Sequence, residues 1–272
     1  MTGWREAAAP AKLNLALVVG PLRADGRHDV VTVLQRITLA DTVSVRRARS
    51  TAVVGFEADT LVSSALDAVS DAAEGAPRFE ARIEKHIPVA AGLGGGSSDA
   101  ATALLLANEL LETPLRGEKL HRVAARLGSD LPFFLRQGPQ LATGDGTVLE
   151  PVELPSDYEI VLALPAGEEK ASTGAVYEAF DQRAGALGYD ERSAELRAAL
   201  ARVRTSEDLA QLPPNDLASS PLAAELCELG AFRADVTGAG PVVFGLFSSA
   251  AAAQQAVAAL DGRAATWTAR PA

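Results

Sequence analysis

Apolar and polar positions follow two different periods along the chain, and the first 150 residues predict a sheet accompanied by helices. Short runs rich in β-branched and other apolar residues favour strands, and apolar residues spaced three to four apart favour helices. The predicted strands are residues 12–19, 30–39, 42–47 and 78–85, with a hairpin over 140–149. The predicted helices are residues 61–73, a helix that follows the glycines at 92–96 and runs to about 111, and a third within 114–126.

From residue 158 onward, strand and helix patterns alternate. Strands are predicted at 158–164, 233–237, 242–247 and near 264–268, and helices begin at 173, 193, 218 and 250. This order predicts a ferredoxin-like α/β plait. We therefore predict a mixed α/β (α+β) protein with two domains, residues 1–153 and 154–272, divided where Pro151 and Pro155 bracket a polar connection.

The densest turn chemistry lies in residues 88–99, Pro-Val-Ala-Ala-Gly-Leu-Gly-Gly-Gly-Ser-Ser-Asp. Four glycines in five positions let the backbone adopt positive φ and approach a ligand closely. Ser97, Ser98 and Asp99 offer N-caps for the following helix. A glycine-rich turn before a helix directs N–H groups and the positive end of the helix dipole at one point, which suits a phosphate. The segment matches neither common phosphate-loop pattern, and a simple chain reversal is the alternative interpretation.

Composition and charge narrow the class of protein. The net charge of −10 argues against non-specific binding to nucleic acid or to an anionic membrane. The single cysteine, Cys227, can form no internal disulfide and has no metal-ligand spacing. The chain starts without the apolar core of a signal peptide, and no apolar run approaches the 18 or so residues of a membrane span. We therefore expect a soluble cytoplasmic protein.

Lys12 and Asn14 are the first candidates for chemistry, since they share one face of an otherwise apolar predicted strand. A lysine ammonium suits a site where one compact charge must reach an oxygen. A solvated lysine at a strand end is the alternative. Asn14 offers an amide to a polar substrate group, or satisfies nearby backbone.

Asp130 lies where the chain enters the apolar segment Leu131-Pro132-Phe133-Phe134. A carboxylate held there suits orienting a hydroxyl and accepting its proton, and a turn aspartate that bonds its own backbone is the alternative. His28 lies in a loop with turn chemistry, where a surface histidine is the alternative. The segment at 238–240, Gly-Ala-Gly, indicates either a backbone surface beside a ligand or a plain hairpin.

These segments, taken in order, resemble the GHMP kinase superfamily, and within it the branch of 4-diphosphocytidyl-2-C-methyl-D-erythritol kinases. Residues 10–15, Pro-Ala-Lys-Leu-Asn-Leu, and 23–28, Arg-Ala-Asp-Gly-Arg-His, resemble the branch's opening strand and substrate loop. Residues 87–101 are similar to the superfamily's ATP-phosphate loop, 127–134 to its catalytic-aspartate segment, and 236–241 to its last glycine motif.

The resemblance implies ATP-dependent phosphorylation of the 2-hydroxyl of 4-diphosphocytidyl-2-C-methyl-D-erythritol, on the non-mevalonate route to isoprenoids. It assigns Lys12 and Asp130 to catalysis, and Asn14, His28 and Tyr177 to the substrate, with His28 and Tyr177 at the cytosine. The residues it assigns to the ATP phosphates are Pro88, Val89, Ala90, Ala91, Gly92, Leu93, Gly94, Gly95, Gly96, Ser97 and Ser98. The implied cofactors are ATP and Mg²⁺, and the ion would rest on phosphates and few protein ligands.

Three positions depart from the branch's pattern. Arg27 stands where a tyrosine is usual, Ala239 replaces a frequent serine, and Thr147 stands where the hairpin after Asp130 usually carries an acidic residue. The alternatives are a kinase of the same superfamily for another small alcohol, such as homoserine or mevalonate, and a relative that binds ATP and a metabolite without turnover.

Overall fold

The computed structural model describes residues 3–56, 60–73, 75–167 and 172–272. The strands in this part of the chain are β1 (Arg5–Leu22), β2 (His28–Ala48), β3 (Ala52–Val54), β4 (Arg78–Glu84), β5 (Gln140–Gly144), β6 (Val148–Pro151), β7 (Glu159–Pro165), β8 (Arg233–Val236), β9 (Val243–Phe247) and β10 (Ala264–Ala269). The helices are α1 (Thr60–Ala72), α2 (Gly95–Glu109), α3 (Gly117–Leu127), α4 (Leu131–Phe134), α5 (Thr173–Gln182), α6 (Tyr189–Leu200), α7 (Pro221–Glu228) and α8 (Ala250–Ala259). A 3₁₀ helix spans Ser206–Gln211.

The chain forms two compact units that are discontinuous in sequence, because β1 and β2 each contribute to both. The first unit comprises residues 1–11, 40–89 and 94–137. In it, the second half of β2 pairs antiparallel with β4, and β3 pairs parallel with β4. Helix α1 packs on α2, α3 and β4, and α4 packs on α2 and α3.

The second unit comprises residues 12–39, 90–93 and 138–272. The first half of β2 pairs antiparallel with β5, and β5 with β6. A separate antiparallel sheet has the strand order β10-β7-β9-β8. One of its faces carries α7 and α8, whose Leu226, Ala253 and Ala256 are buried with Val161 and Phe247 of the sheet. The β-α-β-β-α-β order of a ferredoxin-like plait is therefore confirmed.

The mixed α/β prediction is confirmed, and its errors have physical causes. The strands predicted at 30–39 and 42–47 are one strand, β2, because Ala40 and Asp41 continue the extended backbone instead of turning. The short β3 was not predicted, since three residues carry little periodicity. The expectation that Ser97, Ser98 or Asp99 caps the helix after the glycines was wrong, because the cap of α2 is Gly94. The apolar segment after Asp130 forms the short helix α4.

The predicted domain boundary at residue 153 stays a prediction. In the described parts of the chain, no helix is both long and apolar enough to span a bilayer.

Candidate active site

Lys12 lies inside β1 and is buried, with 4% of its surface exposed. The prediction that it begins a strand was wrong, and so was the alternative of a solvated lysine. Its Nζ donates hydrogen bonds to Asn14 Oδ1 at 2.6 Å and to the Gly92 carbonyl at 3.0 Å. Its backbone N–H also donates to the Leu93 carbonyl at 2.9 Å. The ammonium is therefore held against Gly92, which belongs to the segment at residues 88–98, the glycine loop.

Asn14 is the residue that orients this lysine. Its side-chain Nδ2 donates to Thr32 Oγ1 at 2.8 Å, which leaves Oδ1 as the acceptor for Lys12. Its backbone N–H donates to Thr237 Oγ1 at 3.0 Å. Because Thr32 in turn donates to the Ala16 carbonyl at 2.7 Å, the direction of every hydrogen bond in this chain is set.

Two glycines make the close backbone approach around Lys12 possible. Gly92 has φ of 79°, and a Cβ there would lie 2.2 Å from the Thr237 carbonyl oxygen. Gly238 has φ of 58°, and a Cβ there would lie 3.4 Å from Lys12 Nζ and 3.2 Å from the Gly92 carbonyl oxygen. The segment at 238–240 is thus both the connection from β8 to β9 and a backbone surface beside Lys12. The hairpin alternative is confirmed, and a role of this segment beside a ligand stays a prediction.

The second part of the glycine loop opens α2. Gly94 is the N-cap with φ of 70°, and the first intrahelical bond runs from the Ser98 N–H to the Gly94 carbonyl at 2.9 Å. The N–H groups of residues 95–97 precede that bond and have no partner inside the helix. A Cβ on Gly96 would meet no atom within 4 Å, so the space beside these donors is open. The Ser98 hydroxyl is buried and has no hydrogen-bond partner among the described residues. These features fit an anion at the start of α2.

Asp130 is half-buried at the N-cap position of α4. Its side chain makes no capping hydrogen bond to that helix. Leu131 and Phe133 are fully buried, and the ring of Phe133 contacts that of Phe134 edge-on at 5.1 Å. The apolar residues of α4 therefore anchor Asp130 on α2, the helix that the glycine loop begins.

His28 and Tyr177, which the resemblance places at one base, lie together. Their rings stack with centroids 4.8 Å apart and planes at 29°. His28 is buried at the start of β2, and its Nε2 lies 2.9 Å from Asp181 Oδ1. Tyr177 and Asp181 are both on α5, one turn apart, so they reach the same imidazole. The surface-histidine alternative for His28 is wrong.

Arg27 has a partner that the sequence did not indicate. Its Nη1 donates to Asp145 Oδ2 at 2.6 Å, and Asp145 Oδ1 accepts from the Thr147 hydroxyl at 2.6 Å. Although burial acts in the opposite direction, hydrogen bonds from Thr147 and Arg27 hold the pKa of Asp145 below its ordinary value. The arginine that replaces the usual tyrosine is thus tied to the β5–β6 turn.

Sequence reasoning missed Thr237, Asp181 and Asn215, which support the predicted residues. Asn215 donates to the Val236 and Gly238 carbonyls at 2.8 and 2.7 Å and so holds the segment beside Lys12. Thr237 lies 223 positions from Asn14 and Asp181 lies 153 positions from His28, so no local pattern indicates these two contacts. In the described residues, no group of three or more His, Cys, Asp or Glu could hold a metal ion.

Comparison with known proteins identifies the family of this chain. Residues 60–138 match the GHMP kinases N terminal domain, and residues 210–265 match the GHMP kinases C terminal domain. A protein of Rhodococcus jostii named 4-diphosphocytidyl-2-C-methyl-D-erythritol kinase is 37% identical over 93% of this chain and 87% of its own. The chain belongs to the GHMP kinase family. The predicted boundary at residue 153 falls between the two matched segments.

Further relatives agree with this GHMP kinase assignment. A Synechococcus protein of the same name is 37% identical over 91% of this chain and 86% of its own. A crystal structure of 4-(cytidine 5'-diphospho)-2C-methyl-D-erythritol kinase superposes with a TM-score of 0.79 at 29% identity, covering 98% of this chain and 99% of that one. Mevalonate kinase of Methanococcus jannaschii shares the fold, with a TM-score of 0.73 at 13% identity over 100% and 99% of the two chains.

Proposed function

We propose that this protein transfers the γ-phosphate of ATP to the 2-hydroxyl of 4-diphosphocytidyl-2-C-methyl-D-erythritol, a step of the non-mevalonate route to isoprenoid precursors. The observation that carries the proposal is the identity of 37% over 93% of the chain to a kinase named for that substrate. The residues of the candidate site suit the reaction, and GHMP kinases are ATP-dependent phosphotransferases. We expect the reaction to take place in the cytoplasm, where ATP is available.

Lys12 and Asp130 are the proposed catalytic pair. Asp130 orients the acceptor hydroxyl and takes its proton, and Lys12 stabilises the charge that develops on the transferred group. Phosphoryl transfer depends mainly on positioning and electrostatic stabilisation, so a few fixed groups suffice. The burial of Lys12 and its bonds to Asn14 and Gly92 supply that fixity, since they remove the ammonium's freedom before substrate arrives.

Residues 88–98 are proposed to hold the ATP phosphates. The support is the start of α2, where N–H groups without helical partners, open space at Gly96 and the buried Ser98 hydroxyl coincide. Mg²⁺ bound to these phosphates would neutralise part of their charge, and the described residues offer it the Ser98 hydroxyl rather than a carboxylate cluster.

His28 and Tyr177 are proposed to receive the cytosine, with Asn14 beside the polyol. A base has a π-face that an aromatic ring can stack on, and an edge that a fixed imidazole can hydrogen-bond. The contact from Asp181 to Nε2 fixes the ring so that Nδ1 is presented in one orientation.

The experiment is ADP release by the purified protein with Mg-ATP, offering the cytidine substrate, homoserine and mevalonate separately. Turnover with the cytidine compound alone is the expected result. Turnover with another alcohol would keep the kinase and overturn the substrate. Silence with all three would favour a relative that binds without turnover.

A further inference from the structure

A buried ionic cluster lies at the base of the glycine loop. Lys85 Nζ donates to Asp41 Oδ2 at 2.5 Å and to Asp99 Oδ2 at 2.6 Å. The side chains of both aspartates are completely buried, and that of Lys85 is 16% exposed. The ammonium also lies 5.7 Å from the centroid of the Phe56 ring. None of these three charged residues belongs to the proposed catalytic or phosphate-binding set.

The cluster joins the two ends of the loop. Before the loop, Asp41 Oδ1 accepts the backbone N–H groups of His86 and Ile87 at 2.5 and 2.8 Å. After the loop, Asp99 is part of α2, on the turn that follows Gly95 and Gly96. Lys85 connects the two carboxylates. The backbone before the loop, at residues 86–87, and helix α2 after it are therefore both linked to the Lys85 ammonium.

The glycine at the helix start lies directly beside this bridge. A Cβ on Gly95 would lie 3.5 Å from Lys85 Nζ and 3.1 Å from Ile87 Cγ2. A cation close to a helix N-terminus is unfavourable by itself, because it faces the positive end of the dipole. Asp41 and Asp99 offset that cost, while the burial of two carboxylates is itself expensive. A cluster with so high a desolvation cost at the base of the loop indicates that the geometry of the loop has to be fixed there.

We infer that Lys85, Asp41 and Asp99 are positioning residues, which hold the two ends of the glycine loop at the separation that aims its N–H groups at the ATP phosphates. The inference rests on the proposed function of that loop. It assigns the cluster no contact with ATP: Lys85 acts through the backbone at residues 86–87 and through α2. Loosening the bridge should weaken ATP binding selectively. N–H groups that are displaced by a fraction of an ångström are no longer preorganised to bind the phosphates.

The test compares two substitutions of Asp99. In Asp99→Asn the amide oxygen still accepts from Lys85, whereas Asp99→Leu keeps the branched shape with two larger methyl groups and has no acceptor. We expect Asp99→Leu to raise the KM for ATP about tenfold, with a smaller change in kcat, and Asp99→Asn to retain most of the affinity. The KM for the cytidine substrate should stay within about twofold in both variants.

Arg78→Met is the matched control. Arg78 is the first residue of β4, and Lys85 is the residue after its last. Like Lys85, Arg78 bridges two aspartates: it contacts Asp67 at 3.1 Å and Asp71 at 3.0 Å. Those contacts are with α1 and involve neither residues 86–87 nor Asp99. This control should leave the KM for ATP unchanged, whatever it does to the melting temperature.

Each outcome decides something. Wild-type turnover of the cytidine substrate tests the proposed function on its own, before any variant is made. A folded Asp99→Leu with wild-type KM for ATP, or with equal rises for both substrates, would overturn the positioning role. Should Asp99→Leu fail to fold, Lys85→Met cuts the same bridge with a neutral side chain that has no N–H donor, and the same two KM values are then decisive.

Discussion

The glycine loop and the His28 region, which comprises His28, Tyr177 and Asp181, are two proposed binding regions that are built in opposite ways. In the loop the groups proposed to contact phosphate are backbone N–H groups, and the side chains of Lys85 and Ile87 lie beside Gly95. Around His28 side chains are proposed to contact the base, and α5 supplies the aromatic ring and the carboxylate that contact the imidazole.

This difference decides how each region tolerates change. A backbone site depends on the absence of side chains, as at Gly92, where a Cβ would lie 2.2 Å from a carbonyl oxygen. A side-chain site can exchange one ring or amide for another, and here Arg27 stands where the family branch usually has tyrosine. Loop substitutions should therefore have larger effects on binding than substitutions near His28.

Asp130→Ala should have the largest effect on turnover and should disturb neither binding region. Removing the carboxylate that orients and deprotonates the hydroxyl should lower kcat about a thousandfold. The dissociation constant of ATP and the melting temperature should stay near wild-type values, since the apolar residues of α4 anchor the segment. An ADP-release assay measures kcat, and calorimetric titration measures the dissociation constant of ATP. Unchanged turnover would remove Asp130 from the proposed mechanism.

Gly95→Val tests the backbone region. The first side-chain carbon alone would lie 3.1 Å from Ile87 Cγ2, and valine's branches would press further on Ile87 and Lys85. We expect the affinity for ATP to fall about a hundredfold while the cytidine substrate still binds.

Gly96→Ala is the informative partner, because its Cβ meets no protein atom within 4 Å and the fold should be unaffected. A loss of ATP affinity there would mean that phosphate occupies the open space. Normal ATP affinity in Gly95→Val would contradict the phosphate-loop interpretation.

The two regions also differ in how far the sequence predicts them. The glycine loop is contiguous, so its turn and its helix could be predicted locally, and its phosphate chemistry stays a prediction from the same residues. Lys12 and Asn14 were predicted as a pair from the alternation of a strand, but their burial was not, since it depends on Gly92 and Gly238. The contact of His28 with Asp181 spans 153 positions, and no periodicity encodes such a distance. The sequence does not show which distant residues will contact and orient a predicted site residue.

His28→Ala tests the side-chain region. The loss of one fixed hydrogen-bonding ring should raise the KM for the cytidine substrate about tenfold and leave that for ATP nearly unchanged. His86→Ala is the control, because that imidazole is about half exposed and contacts only Glu84 among the described ion pairs, at 3.5 Å. Equal losses for the two substrates in steady-state kinetics would argue against base recognition by His28.

Asp99→Asn tests the perturbed titration of the buried carboxyl beside the glycine loop. Burial raises the pKa of the Asp99 carboxyl to about 7, against the opposing influence of Lys85. An unfolded aspartate titrates near 3.8, so between these values the folded protein binds the extra proton. The contribution of this carboxyl to stability is therefore full below pH 4 and is lost as the pH rises to about 7. Unfolding free energies of wild type minus variant, measured from pH 4 to pH 8, should decline across that window; a flat difference would contradict the shift.

Arg27→Ala should have the smallest effect, although it removes the residue that departs most visibly from the family branch. The guanidinium is 42% exposed, and ion pairs at such sites contribute about 0–1 kcal/mol. Asp145 keeps its bonds to Thr147, so the turn survives the loss of Arg27. We expect the melting temperature and both KM values to change little. A rise in the KM for the cytidine substrate comparable to that of His28→Ala would show that Arg27 leaves Asp145 and stacks on the base, and the side-chain region would then adapt through its charges as well as through its rings.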